Sequence, residues 1–185
     1  MTTRVEFLGR VRGEMRKTAG LFPATVSERP FDPGEATLAI RREMAERWPQ
    51  GLERFKTEFE KVGGEFYRVA VMEDVPALIG RIAAQRPIAE MKRNGCPATR
   101  VVAWDAAALG ADLTPGLTAE GLEVVVAAAG HEDEEARMKH RIAAAEAQIG
   151  VTGADFALAE TGTLILLSGR GRPRATSLLP DYHVA

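Results

Sequence analysis

The run Ala159-Glu160-Thr161-Gly162-Thr163 puts a carboxylate beside two hydroxyls and a glycine. A carboxylate in that setting can act as base, nucleophile or metal ligand, and a glycine turn can cradle a small anion on its backbone N–H groups. Glu160 is therefore the candidate catalytic residue, with Thr161, Gly162 and Thr163 as ligand-binding groups. The same spacing also describes a plain hairpin, in which Thr161-Gly162 makes the turn and Glu160 opposes Thr163. A second cluster follows in Gly169-Arg170-Gly171-Arg172-Pro173-Arg174. Guanidinium groups of Arg170, Arg172 and Arg174 on a glycine-rich loop can pair bidentately with a carboxylate or phosphate. A solvated loop is the plain alternative, and Arg-Gly-Arg-Pro also matches short segments that lie in the DNA minor groove.

Other polar residues carry weaker signals. His183 follows the arginine loop and can carry a proton or donate a hydrogen bond. His140 falls within a helical stretch, on the face expected to be polar, and Lys139 beside it reads as a solvated or salt-bridging lysine. His131 precedes that helix as a capping or surface residue. Cys96, between Asn94-Gly95 and Pro97, reads as an inert thiol on a turn. Trp48 and Trp104 read as packing residues.

The elements that must position these groups follow from hydrophobic period and punctuation. Val5, Leu8, Val11 and Met15 recur at helical spacing, with Gly20 closing the segment and a proline-containing loop over 21–30. Asp32-Pro33-Gly34-Glu35 predicts a helix start with Asp32 as cap, running to about Trp48, where Pro49 stops it. Leu52, Phe55, Phe59 and Val62 form another stripe, ended by Gly63-Gly64. From there the pattern alternates: strand 65–71, helix 74–85, strand 99–104, strand 122–128, and helix 132–149 with Met138, Ile142, Ala145 and Ile149 on its apolar face. Residues 155–160 and 163–168 read as an antiparallel hairpin with a two-residue connection. Residues 182–185 open a further strand, and the protein is expected to continue beyond it. Strands separated by helices predict an α/β fold with a mostly parallel sheet. The expected organisation is one domain over 1–185, an N-terminal helical segment (1–62) packed outside a sheet-containing core (63–185).

Composition narrows the function classes. The 185 residues are 45% apolar and 27% charged, ordinary for a globular chain. Lys and Arg (24) nearly balance Asp and Glu (26), so there is no global pull toward nucleic acid. Locally the charge is uneven: eight acids and no Lys or Arg stand between Arg100 and Arg137. A single cysteine can form neither an internal disulfide nor, unaided, an iron–sulfur cluster or zinc finger. No metal-ligand set is assigned, and no cofactor follows from the residues. Walker A, dinucleotide-type glycine, G-x-S-x-G and H-E-x-x-H motifs are missing from the sequence. The first residues lack a signal-peptide pattern and no apolar run reaches membrane length, so a cytoplasmic protein is expected.

From Ile149-Gly150-Val151-Thr152-Gly153-Ala154-Asp155 through Ala159-Glu160-Thr161-Gly162-Thr163, the sequence resembles the LUD-domain family, in its lactate utilization protein C (LutC/YkgG) branch. Ser177-Leu178-Leu179-Pro180 and His183-Val184-Ala185 extend the resemblance, as does the upstream Arg54-Phe55 … Val62-Gly63-Gly64 segment. The resemblance implies a NagB/RpiA/CoA-transferase-like fold, a Rossmann-like parallel sheet flanked by helices with antiparallel additions. It implies a role in oxidising L-lactate to pyruvate alongside iron–sulfur partner proteins. By position, Glu160 to Thr163 match its signature, and Ser177 and His183 its second block.

Overall fold

The computed structural model describes residues 3–17, 32–85, 99–127 and 134–185; Gly20, the 21–30 loop, Cys96, Ala128, His131 and the first two residues of the expected 132–149 helix lie outside these. The chain forms two compact units, Met1–Gly51 and Leu52–Ala185. In the first, α1 (Arg4–Lys17) opens on a reciprocal cap: Thr3 N–H donates to Glu6 Oε2 at 2.8 Å and Glu6 N–H to Thr3 Oγ1 at 3.3 Å. Helix α2 (Pro33–Glu46) starts as expected, with Asp32 accepting from the Gly34 and Glu35 N–H groups. It ends at Glu46, and Pro49 lies in the first turn of α3 (Trp48–Lys61) rather than stopping α2 at Trp48. Proline suits that first turn because its missing N–H would have no partner there. Trp48 is exposed, not a packing residue.

In the second unit, α3 closes with Gly64 N–H on Phe59 O (3.0 Å) and Gly63 N–H on Glu60 O (3.1 Å), the paired bonds of a glycine-terminated helix. The expected strand at 65–71 does not form: residues 64–69 have no regular structure, and Phe66 packs edge-on to Phe55 at 6.3 Å. A short 3-10 turn (Met72–Asp74) leads into α4 (Val75–Gln85). Then come β1 (Arg100–Ala103), α5 (Ala106–Leu109), α6 (Thr114–Ala119), β2 (Glu123–Val126), α7 (Glu134–Glu146) and β3 (Ile149–Val151). An antiparallel pair, β4 (Phe156–Leu158) and β5 (Thr163–Ile165), precedes α8 (Ala175–Leu178) and β6 (Tyr182–Val184). Strands β2-β1-β3-β6 make one sheet, parallel throughout. This is the α/β fold that the pattern predicted, with the antiparallel hairpin beside it.

Successive residues of β1 bury on opposite faces. Val101 and Ala103 join Ile149 and Val151 under Ile79 of α4 and Leu117 of α6, while Val102 packs with Ala144, Ala147 and Ala175. Arg100 fastens the start of the sheet, with ion pairs to Glu123 (2.9 Å) and Glu146 (2.6 Å). Its hydrogen bond to Glu123 holds the guanidinium pKa above its ordinary value. Helix α7 corrects the sequence reading twice. It ends at Glu146, so that Ile149 and Gly150 belong to β3, and its inward face carries His140 and Ala144, leaving Met138 and Ile142 exposed. Small alanines let the helix approach Val102 closely, which the larger residues at 138 and 142 would prevent. No described helix is long and apolar enough to cross a membrane.

Candidate functional site

The candidate residues fall into two places. Glu160 to Thr163 lie at the tip of the β4–β5 hairpin. Leu158 pairs with Thr163, so the connection is four residues, not two, and Leu158 rather than Glu160 opposes Thr163. Strand β4 is exposed along its length, not buried as a seat for the glutamate. The N–H groups of Thr161 (3.3 Å) and Gly162 (3.0 Å) both donate to Leu158 O, and the Thr161 hydroxyl donates to that of Thr163 at 2.8 Å. The peptide donors expected to cradle an anion are thus spent within the turn. Glu160 has a 78% exposed side chain whose carboxylate lies 3.7 Å from Arg54 of α3. Gly162 has φ +64, and a Cβ there would collide with the backbone of Glu58 and Phe59. Only glycine lets the tip seat against α3 in that conformation.

The second place is the carboxyl edge of the parallel sheet. In open α/β sheets this edge binds ligands where neighbouring crossovers diverge, here between β1 and β3. Trp104 follows β1 and is buried; its Nε1–H donates to Pro173 O at 3.3 Å, and the Arg172 guanidinium lies 5.6 Å from its ring centre. Arg172 also donates to Asp155 Oδ1 at 2.9 Å, while Asp155 Oδ2 accepts the Leu167 N–H at 2.7 Å. Gly171, at φ +67, lies so close to Asp105 that a Cβ would enter its carboxylate, and Asp105 in turn caps α5 through the Ala108 N–H at 2.8 Å. The glycine-arginine loop is therefore clamped onto the end of β1, which fixes Arg172 as a tether and leaves Arg170 and Arg174 exposed.

On the same edge, the His183 ring of β6 shares a hydrogen bond of 2.8 Å with the hydroxyl of buried Thr152, just past β3. Desolvation by the surrounding chain pushes the His183 pKa below its ordinary value of 6.5, so the ring is neutral near pH 7. Gly153, next to Thr152, borders the Trp104 ring. Ser177, in α8, donates its hydroxyl to Arg174 O at 3.1 Å. His140, expected on a polar surface, is buried and hydrogen-bonded to Thr176 at 3.1 Å.

Trp104, Asp105, Thr152 and Asp155 carry this edge and were not singled out as site residues by sequence. The available signal was positional: each stands just past the end of a short apolar run, where parallel strands deliver side chains to a ligand edge. Among the described residues no group of three or more His, Cys, Asp or Glu side chains is placed to hold a metal ion.

The LUD domain model matches residues 52–185. Lactate utilization protein C of Halalkalibacterium halodurans is 57% identical over 42 residues, 23% of this chain and 18% of that protein. Its counterpart in Geobacillus is 42% identical over 53 residues, 29% of this chain and 22% of the relative. The uncharacterized electron transport protein YkgF of Escherichia coli is 43% identical over 49 residues, covering 26% and 10%. In each case the matched stretch spans less than a quarter of the relative's length. No solved structure matches. With the family model covering the whole second unit, the chain belongs to the LUD domain family, in the branch of the lactate utilization protein C sequences.

Proposed function

We propose that this chain is a component of a cytoplasmic L-lactate utilization system of bacterial type, in which lactate is oxidised to pyruvate together with iron–sulfur partner proteins. The observation that carries the reading is the 57% identity over 42 residues to a lactate utilization protein C, set within a domain match over 52–185. The relative named as an electron transport protein supports the division of labour. The parallel four-stranded sheet supports the NagB/RpiA/CoA-transferase-like relationship.

The carboxyl edge suits a small hydroxy acid. Exposed Arg170 and Arg174 offer guanidinium groups to the carboxylate, and the neutral His183 ring takes the proton of the 2-hydroxyl. Oxidation to pyruvate releases two electrons and two protons; redox centres held by the partner proteins would take the electrons, and the His183 ring and solvent the protons. Glu160, with Thr161 to Thr163, is the alternative seat for that base. A scaffold role is the second reading, favoured by exposed Phe156, Leu158 and Leu167 on and beside the hairpin. Lactate oxidation is measured in cells lacking the native protein and supplied with variants, alongside pull-down of partner proteins. His183→Gln or the Arg170→Ala/Arg174→Ala pair is expected to abolish oxidation while partners still bind. Loss in Glu160→Ala alone moves the base to the hairpin tip, and full oxidation by all three variants supports the scaffold.

A further inference from the structure

His183 and Thr152 meet across the join between β6 and β3. His183 is in register with Gly150, and Thr152 stands two positions further along, on the same face of the sheet. Gly150 presents no side chain there, and a Cβ on it would strike Thr176 O and Pro180. The imidazole reaches along the face to the threonine instead. Thr152 is itself fixed: it is buried, and its N–H donates to Val184 O at 3.0 Å. Its hydroxyl and His183 Nε2 are 2.8 Å apart. Nδ1 has no partner among the described residues, and His183 is exposed at the rim, so Nδ1 is the ring nitrogen left for a ligand.

A neutral imidazole carries one proton, and the nitrogen that holds it decides what the other can do. With the proton on Nε2, that group donates to Thr152 Oγ1 and Nδ1 keeps a lone pair. With the proton on Nδ1, the Thr152 hydroxyl donates to Nε2, and the ring offers a ligand only a donor. A ring that takes the proton of a 2-hydroxyl needs the first arrangement. That arrangement also survives the step: Nε2–H donates to Oγ1 before and after Nδ1 gains its proton, so neither side chain turns as the charge forms. We propose that Thr152 is a positioning residue that holds His183 with its proton on Nε2, so that Nδ1 is the atom that accepts the 2-hydroxyl proton. The step moves one proton, breaking the O–H bond of the 2-hydroxyl and forming Nδ1–H. The proposal rests on the hydroxy-acid reading of the edge and names the working nitrogen within it.

The test is a long-range proton–nitrogen NMR correlation of the full chain near pH 7, where the ring is neutral, in the unaltered protein, Thr152→Val and Thr152→Ser. His183→Gln assigns the His183 signals among the three histidines. The unaltered protein is expected to show a protonated nitrogen at Nε2 and a lone-pair nitrogen at Nδ1. Thr152→Val is expected to move both toward the averaged values of a ring exchanging between tautomers, and Thr152→Ser to keep them. Lactate oxidation in cells lacking the native protein is expected to fall at least about tenfold with Thr152→Val and to stay within about threefold with Thr152→Ser. A proton on Nδ1 in the unaltered protein overturns the proposal, as do nitrogen shifts that Thr152→Val leaves unchanged. Undiminished oxidation in Thr152→Val, when His183→Gln abolishes it, also overturns the proposal and leaves the hydroxy-acid reading standing. Undiminished oxidation in His183→Gln overturns that reading, and the proposal with it. Should Thr152→Val fail to fold, the nitrogen shifts of the unaltered protein decide alone.

Discussion

The hairpin tip and the carboxyl edge of the sheet use the same kinds of residue in opposite ways. At the tip, the hydroxyls of Thr161 and Thr163 bond to each other, and the N–H groups of Thr161 and Gly162 bond to Leu158 O, at most four positions away. At the edge, Trp104 bonds to Pro173, Thr152 to His183 and Arg172 to Asp155, partners 69, 31 and 17 positions apart. Short-range bonds of this kind form in any chain that turns there, and they leave Glu160 in solvent. Long-range bonds exist only once the strands are in register, and they tie together groups from distant positions, with Trp104 and Thr152 buried and His183 exposed at the rim. A motif dense in functional-looking residues is therefore not by itself the densest site in space.

The comparison can be broken most forcefully at the one place where the tip has a tertiary demand. Gly162→Val puts a branched Cβ at positive φ and into the α3 backbone, and is expected to cost about 3 kcal/mol or more. Urea unfolding measures it, and an unchanged midpoint would show that the tip does not seat on α3. Asp155→Asn removes the charge that tethers Arg172. With the Asp155 side chain 19% exposed, the expected loss is about 1–3 kcal/mol, read by thermal unfolding together with a shift in tryptophan emission.

The pH dependence of the edge gives a finer measure. The folded pKa of His183 is lowered from 6.5, so below that value the unfolded chain binds more protons than the folded one. Stability is fully present above pH 6.5 and declines as pH falls from there toward the lowered folded value. His183→Gln is expected to flatten that part of the profile, and an identical slope in the variant would remove His183 as its source. The smallest effect is expected at Glu160→Gln, where an exposed pair at 3.7 Å contributes less than about 0.5 kcal/mol. A larger loss of stability would mean that the tip is a structural anchor through Arg54.

Much of the fold was legible. Val101-Val102-Ala103 and Val124-Val125-Val126 are apolar on both faces, and in the structure both are parallel strands. The first is buried between helices, while the second lies at the sheet edge, half-buried with Val126 exposed, so that its apolar run overstated its cover. Asp32 and Gly63 marked helix ends because capping depends on neighbours within one turn. The segment 65–71 failed for the converse reason. Phe66, Tyr67, Val69 and Val71 have strand-like side chains, but a strand needs a hydrogen-bonding partner that intrinsic preference does not supply.

The face of α7 failed differently. Met138 and Ile142 are the more apolar stripe, yet Ala144 and Ala147 are buried because β1 and α8 leave room only for small groups. His140 followed them inward, where Thr176 satisfies its ring. Of the candidate site, residue types and neighbourhoods were visible, including His183 and the arginine loop. That Arg172 is spent on Asp155 and Trp104 was not.

By itself, the sequence determined the elements whose causes are local: helix caps, the buried run of β1, and a hairpin with glycine in its turn. The tertiary structure alone decided which helix face turns inward, which strands pair, and which polar groups at the sheet's edge are tied to one another. The division is physical. Backbone preference and capping act over a few residues, whereas burial and hydrogen bonding between distant positions depend on register and on the space their neighbours leave.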